Sequence, residues 1–165
     1  MNQKQLRIQM FNRLGVLERQ ATRLKNAYME KYGLKSLDGT LLLALYETEE
    51  GMRFDDFCRK LLVDKAQVSR SLKSLSTHGM VSSHSKGTYK ATYNLTKQGE
   101  KLAEQLADEE EKILSHSSEY FADKDQQQFI EVCQMLINGF ASRVSTEMPD
   151  DEEIAEMTAI EPEQN

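Results

Sequence analysis

The sequence predicts a mainly α fold: a winged helix-turn-helix with a small β-hairpin wing, flanked by long N- and C-terminal helices. Apolar residues recur at helical spacing over about residues 3–32. Two short apolar-faced segments meet at Val63-Asp64, the arrangement of a helix-turn-helix. Met80 to His84 reads as a short strand and Tyr89 to Leu95 as an alternating one, joined by the turn Ser85-Lys86-Gly87-Thr88 into a hairpin. Two prolines in 165 residues leave long helices uninterrupted, and the length suits one domain.

In the first helix, Leu6, Met10, Leu14, Leu17, Leu24 and Tyr28 share one stripe, and Gly33 is the expected stop. Ser36 or Asp38 is placed to cap a second, short helix whose Leu41, Leu42, Leu45 and Tyr46 form an apolar face. Met52-Arg53-Phe54 suits a small extended piece. A third helix begins at Asp55 and contains Phe57, Cys58, Leu61 and Leu62.

Asp64 reads as the N-cap of a fourth helix that runs to about His78. At about 100° per residue, Val68, Leu72 and Leu75 fall in one narrow sector, while Lys65, Ser69, Arg70, Lys73, Ser76 and Thr77 spread over the other side. Such a face suits an ordinary solvated helix. It also suits a helix entering a DNA major groove, where bulk and negative charge are both penalised.

Gly79 ends this helix, and the hairpin follows at once, with Lys86 at its tip and Lys90 on the returning strand. There they could reach the minor groove or its phosphates. Thr96 is placed to cap a long helix carrying Leu102, Leu106, Ile113 and Leu114 to near Phe121. Asp123 is placed to cap a last one with Phe129, Val132, Cys133, Leu136, Ile137 and Phe140. These terminal helices have more apolar surface than one small core absorbs, so a homodimer is expected.

A formal net charge of -6 opposes nucleic-acid binding at first sight. Its distribution does not. From Lys65 to Gly99 there is no Asp or Glu and there are six cations: Lys65, Arg70, Lys73, Lys86, Lys90 and Lys97. Residues 1–35 hold eight Lys or Arg against Glu18 and Glu30, whereas Glu147 to Asn165 holds eight acids, no Lys or Arg, and both prolines. The resulting division is a helical dimerisation region over 1–35 and 100–145, a winged-helix lobe over 36–99, and an acidic tail over 146–165 of disordered composition.

From about Leu34 to Lys101 the sequence resembles the multiple-antibiotic-resistance regulator (MarR) family of winged-helix repressors. The matching pieces are Val63-Asp64-Lys65-Ala66-Gln67-Val68-Ser69-Arg70, Leu72 with Leu75, His78-Gly79-Met80-Val81, and Leu95-Thr96-Lys97-Gln98-Gly99. The flanking helices fit the family's intertwined dimer, extending the likeness to about Ser145. The resemblance implies base-edge or groove contacts on double-stranded DNA from Gln67, Ser69 and Arg70, and phosphate contacts from Lys65, Lys73, Lys86 and Lys90. Many members carry an Asp-x-Arg pair in the wing. Here the turn is the shorter Ser85-Lys86-Gly87-Thr88-Tyr89-Lys90, without Arg, and a lysine lacks the planar fork that selects a narrow groove.

Many relatives are released from DNA by a small aromatic or anionic effector held between the dimer helices and the DNA-binding lobe. Tyr28, Tyr32, Leu34, Tyr46 and Arg53 are the candidates to line such a cleft, although aromatic residues at helical spacing equally suit a core. A redox branch of the family uses a cysteine near the first helix, where this chain has none. Cys58 has Arg59 and Lys60 beside it, but Cys58 and Cys133 form no metal-ligand spacing, and His78, His84 and His116 lie far apart. Neither a metal nor another cofactor is expected.

No GxSxG, phosphate loop, HExxH or paired nucleophile and base occurs, so no enzyme is expected. The alternative to a DNA-binding regulator is a winged helix used only for protein association, against which the acid-free window speaks. No stretch approaches the roughly 20 apolar residues of a membrane span. Met1-Asn2-Gln3-Lys4-Gln5 also lacks the apolar core of a secretory signal, so a cytoplasmic location without a membrane partner is expected.

The charge contrast motivates the hypothesis that the acidic tail screens the basic surface. Truncation at Ser145 is then expected to strengthen DNA binding most at low salt, where screening is weakest. Fluorescence anisotropy across a salt series reads it; unchanged affinity and salt slope would reject it.

Overall fold

The computed structural model describes residues 2–48, 50–84, 91–115 and 123–146. The chain divides into two units, residues 1–113 and 114–165. In the first, the helices are α1 (Gln3–Met29), α2 (Ser36–Tyr46), α3 (Phe54–Leu61), α4 (Lys65–Thr77) and α5 (Lys97–Ser115), the last crossing the boundary. The strands are β1 (Met52–Arg53), β2 (Val81–His84) and β3 (Thr92–Leu95). The second unit contains α6 (Asp123–Thr146).

Side chains set most helix starts. Asn2 Oδ1 accepts from the Gln5 N–H at 2.8 Å, while Gln5 Oε1 accepts from the Asn2 N–H at 3.0 Å, a reciprocal capping box. After α1 a single 3-10 turn, Glu30–Tyr32, ends at Gly33, whose φ of 69° lies in the left-handed region glycine tolerates. For α2 the residue in the N-cap position is Lys35, not Ser36 or Asp38. Asp38 acts from three positions further on, accepting the Lys35 N–H at 2.9 Å. The same happens at α3, which starts at Phe54, one residue earlier than the pattern predicts, with Asp56 accepting the Arg53 N–H.

Leu41, Leu42 and Leu45 of α2, Phe57 of α3, and Val68, Leu72 and Leu75 of α4 form the buried core. Met80 and Val81 enter from the start of β2, and Leu102, Ala103 and Leu106 from α5. Of α1 only Met29 is fully buried. The predicted stripe behaves differently: Leu6, Met10 and Leu17 are exposed, and Leu14, Leu24 and Tyr28 are half-buried. The core of this unit reaches only the last turns of α1, so helical periodicity marks a face without saying what covers it.

The sheet has three antiparallel strands in the order β1-β3-β2. Ser82 pairs with Asn94 and Ser83 with Tyr93 across the hairpin, while Met52 pairs with Tyr93 from the far side. The two-residue β1 thus ties the segment before the helix-turn-helix to the wing. Phe57 packs edge-on against Tyr93, with ring centroids 6.2 Å apart. The predicted wing turn, with Lys86 and Lys90, lies outside the described residues, as do the acidic tail and the segment around Phe121.

Helix α5 starts where β3 ends because Thr96 serves both. Its Oγ1 accepts the Gly99 N–H at 3.1 Å, as an N-cap does, and its hydroxyl donates to the Gly79 carbonyl at 2.7 Å. Gly99 is buried against the Met80 backbone, and a Cβ there would overlap the Met80 carbonyl oxygen. Gly99→Ala is therefore expected to cost about 3 kcal/mol or more in urea unfolding, because backbone rather than a flexible side chain must move. Wild-type stability in that variant would show that the contact gives way easily.

Candidate nucleic-acid interface

Helix α3 ends at Leu62, which adopts φ 51° in the left-handed region, and Val63 leads to Asp64. This short turn sets α3 and α4 as a helix-turn-helix. Asp64 is extended, and its Oδ1 accepts the Gln67 N–H at 2.8 Å, as the sequence predicts. At the far end His78 follows the last turn, and its Nδ1–H donates to the Ser74 carbonyl at 2.8 Å.

Helix α4 has two faces. Val68, Leu72 and Leu75 are buried, whereas Lys65, Gln67, Ser69, Arg70, Lys73, Ser76 and Thr77 are exposed. Among the described residues, none of Lys65, Arg70 and Lys73 forms an ion pair, and α4 contains no acid. Three unneutralised cations, an amide and several hydroxyls therefore share one solvent-facing surface. That surface can donate to phosphate oxygens and to base edges.

Two serines of α4 that periodicity did not assign face inward. Ser71 is buried and its hydroxyl donates to Asp38 Oδ1 at 2.5 Å, while Ser74 donates to Asp38 Oδ2 at 3.3 Å. The signal was present in the sequence. A serine beside Leu72 on a helix with an apolar face requires a polar partner. Lys35, Leu37, Asp38, Gln67, Arg70, Ser71 and Ser74 line a groove of about 320 Å³ along this edge.

The five candidate effector residues do not line one described cavity. Leu34 is buried in the core, and Arg53 is exposed beside α3. Tyr46 borders a cavity of about 340 Å³ with Thr48, Asn94 and Glu100. Tyr28 and Tyr32 lie together, 6.1 Å between ring centroids, with the Lys31 ammonium 5.1 Å from the Tyr28 ring centre. The Tyr32 hydroxyl donates to Gln105 of α5 at 3.3 Å, and Lys25 pairs with Glu110 at 3.2 Å. Burial pushes the Tyr28 phenol above the ordinary tyrosine value, and Tyr32, then Glu109 and Asp108, add to this. The pair thus joins the end of α1 to α5.

Cys58 is half-buried against the core. Its sequence neighbours are engaged elsewhere, Arg59 with Asp56 and Lys60 with Glu47 at 2.6 Å.

A three-helix lobe with a strand from before the helix-turn-helix and a β-hairpin after it, extended by long helices, defines a winged helix with helical flanks. Solved structures specify which. A Listeria monocytogenes protein assigned as a MarR family transcriptional regulator, complexed with 26mer DNA, superposes with a TM-score of 0.73 at 16% identity, over 86% of this chain and 97% of that one. A MarR transcriptional regulator from Methanosarcina mazei Go1 gives 0.64 at 23% identity, over 80% and 96%. The Staphylococcus aureus MepR-DNA complex gives 0.64 at 16% identity, over 77% and 94%. No model of a known protein family matches the sequence, and neither does any curated protein. The chain therefore has the fold of the MarR family regulators, as its motifs implied.

The Asp64 cap is expected to contribute about 1 kcal/mol, so Asp64→Ala should lower stability by that amount and Asp64→Asn by much less. Urea denaturation followed by circular dichroism distinguishes them; equal losses in both would locate the effect in charge rather than capping.

Proposed function

We propose that this chain is a sequence-specific double-stranded DNA-binding transcription regulator. It works as a cytoplasmic homodimer and represses until a small aromatic or anionic effector releases it. The observation that carries the reading is the exposed, acid-free face of α4, with Lys65, Gln67, Ser69, Arg70 and Lys73 on a helix-turn-helix. The fold shared with two proteins solved on DNA supports it. No described helix is long and apolar enough to cross a membrane.

In this reading α4 enters the major groove. Arg70 takes a guanine through its planar fork, Gln67 and Ser69 read neighbouring edges, and Lys65 and Lys73 hold phosphates. Lys86 and Lys90 extend the phosphate contacts from the wing. Exposed apolar side chains support the dimer: on α1, Leu6 and Leu17 are 55% and 58% exposed, and on α6, Ile130 and Met135 are 60% and 65% exposed. Two-fold symmetry then places two recognition helices in successive major grooves about 34 Å apart on a pseudo-palindromic site. Residues 1–35 and 100–145 form the dimerisation region around the 36–99 lobe. An effector acts by favouring a dimer whose helix spacing no longer matches the site. The Tyr28–Tyr32 pair is the part of the predicted effector set that stays together.

The test is binding of the purified protein to its own upstream DNA across a salt series. Arg70→Ala is expected to lose about 1–3 kcal/mol, roughly 5- to 150-fold, on the selected site. Lys73→Ala should weaken all duplexes alike and reduce the salt slope by about 1. Equal affinity for any duplex, unaffected by Arg70→Ala, would move the reading to protein association.

A further inference from the structure

Among the described residues, the buried polar side chains are Asp38 and Ser71, 3% and 6% exposed, and they bond to each other. Asp38 collects three donors: the Ser71 hydroxyl at 2.5 Å on Oδ1, and the Ser74 hydroxyl at 3.3 Å with the Lys35 N–H at 2.9 Å on Oδ2. Among the described residues no Lys or Arg side chain pairs with it. A buried carboxylate held only by neutral donors is costly if any donor leaves, so the geometry is enforced.

Ser71 and Ser74 stand three residues apart on α4, one turn along the same edge. The apolar contacts of Val68, Leu72 and Leu75 hold α4 down, but burial is non-directional and tolerates small rotations. Two hydrogen bonds to one carboxylate do not, because a slip of one residue turns a helix by about 100° and moves it about 1.5 Å. Gln67 and Arg70 border the same groove as this clamp. The phase that Asp38 fixes is therefore the phase at which those two side chains are presented.

We propose that Asp38 is a positioning residue that sets the rotational phase of α4 through Ser71 and Ser74 and so aims Arg70 and Gln67. Its functional half rests on the DNA-binding reading; the clamp itself does not. Because Asp38 also caps the first turn of α2, directly after the α1–α2 joint, it couples the start of α2 to the recognition helix.

The experiment compares wild type, Asp38→Asn, Ser71→Ala, Ser74→Ala and the Asp38→Asn/Ser71→Ala double variant. The probes are a duplex selected from a random pool by the wild-type protein and an unselected duplex, with amide hydrogen exchange followed in parallel. Asp38→Asn is expected to bind the selected duplex about tenfold more weakly, as for one misplaced base contact, with the unselected duplex and salt slope unchanged. The double variant should be no weaker than Asp38→Asn, since both changes break one clamp. Protection of the α4 amides should fall about tenfold while that of α2 beyond its capped first turn is kept. Ser74→Ala, which removes only the longer bond, should lose about threefold and keeps the test open if Asp38→Asn does not fold.

Equal losses on both duplexes, or a selected-site affinity that stays at the wild-type level, would overturn the aiming role. Unchanged α4 exchange in Asp38→Asn would overturn the clamp. If the wild-type protein selects no duplex, the DNA reading has failed, and the exchange data alone decide whether the clamp exists.

Discussion

The packing of Val68, Leu72 and Leu75 against α2 and α3 is the constraint from which the rest of the structure follows. These three side chains are buried at 0%, 3% and 0% exposure, and helical geometry then forces Lys65, Ser69, Arg70 and Lys73 outward. Everything around α4 fixes one of its ends or its inner side. Asp64 satisfies its first turn, the Leu62 turn sets its entry from α3, and Thr96 bonds to the Gly79 carbonyl just past its end. Three-stranded pairing adds a brace: β1 precedes α3, yet lies against β3 of the hairpin that follows α4. The helix-turn-helix is therefore enclosed by its own flanking strands rather than merely connected to them.

Charge placement obeys the same division. The whole chain is acidic, but α4 contains no acid and its nearest one, Asp64, sits at the N-cap, where its oxygen is engaged by a backbone N–H and its charge complements the helix dipole. Two nearby acids are paired locally, Asp56 of α3 with Arg59 and Glu47, just past α2, with Lys60. Such pairs contribute little to stability at the surface. Neither carboxylate is paired with a cation of α4. Net negative charge elsewhere disfavours indiscriminate adhesion to polyanions.

How far the sequence revealed this depends on whether a feature is local. The Asp64 cap, the Gly33 stop, the buried sector of α4 and the Thr96 cap were legible because each is settled within a few residues by periodicity or capping chemistry. Asp38 was legible as a capping residue but not as a partner of α4, since its bonds to Ser71 and Ser74 span 33 and 36 positions. The pairing of β1 with β3 was hidden for the same reason, and two residues carry no alternation to read. The stripe on α1 was legible as a face, and Leu6, Met10 and Leu17 on it stay exposed because the core of this unit reaches only the last turns of α1. Where the candidate effector residues lie was not legible, since burial of Leu34, exposure of Arg53 and the contact of Tyr28 with Tyr32 are settled by tertiary packing.

The joint between α1 and α2 is where the helical flank meets the lobe. Gly39 of α2 lies where Met29 of α1 and Leu106 of α5 converge, and a Cβ there would sit 3.1 Å from Met29 Cγ and 3.0 Å from Leu106 Cδ2. Just before it, the Ser36 N–H donates to Asn26 Oδ1 at 3.0 Å, which fixes the turn from the α1 side. One residue before Gly39 stands Asp38, already bonded to α4. Close packing makes such a joint stiff, and stiff contacts transmit displacement rather than absorb it. A shift of α1 relative to α5 therefore reaches α2 through Met29 and Leu106, and α4 through Asp38. Met29, Gly39 and Leu106 on one side and Asp38 on the other thus form the short physical route from the ends of α1 and α5 to α4.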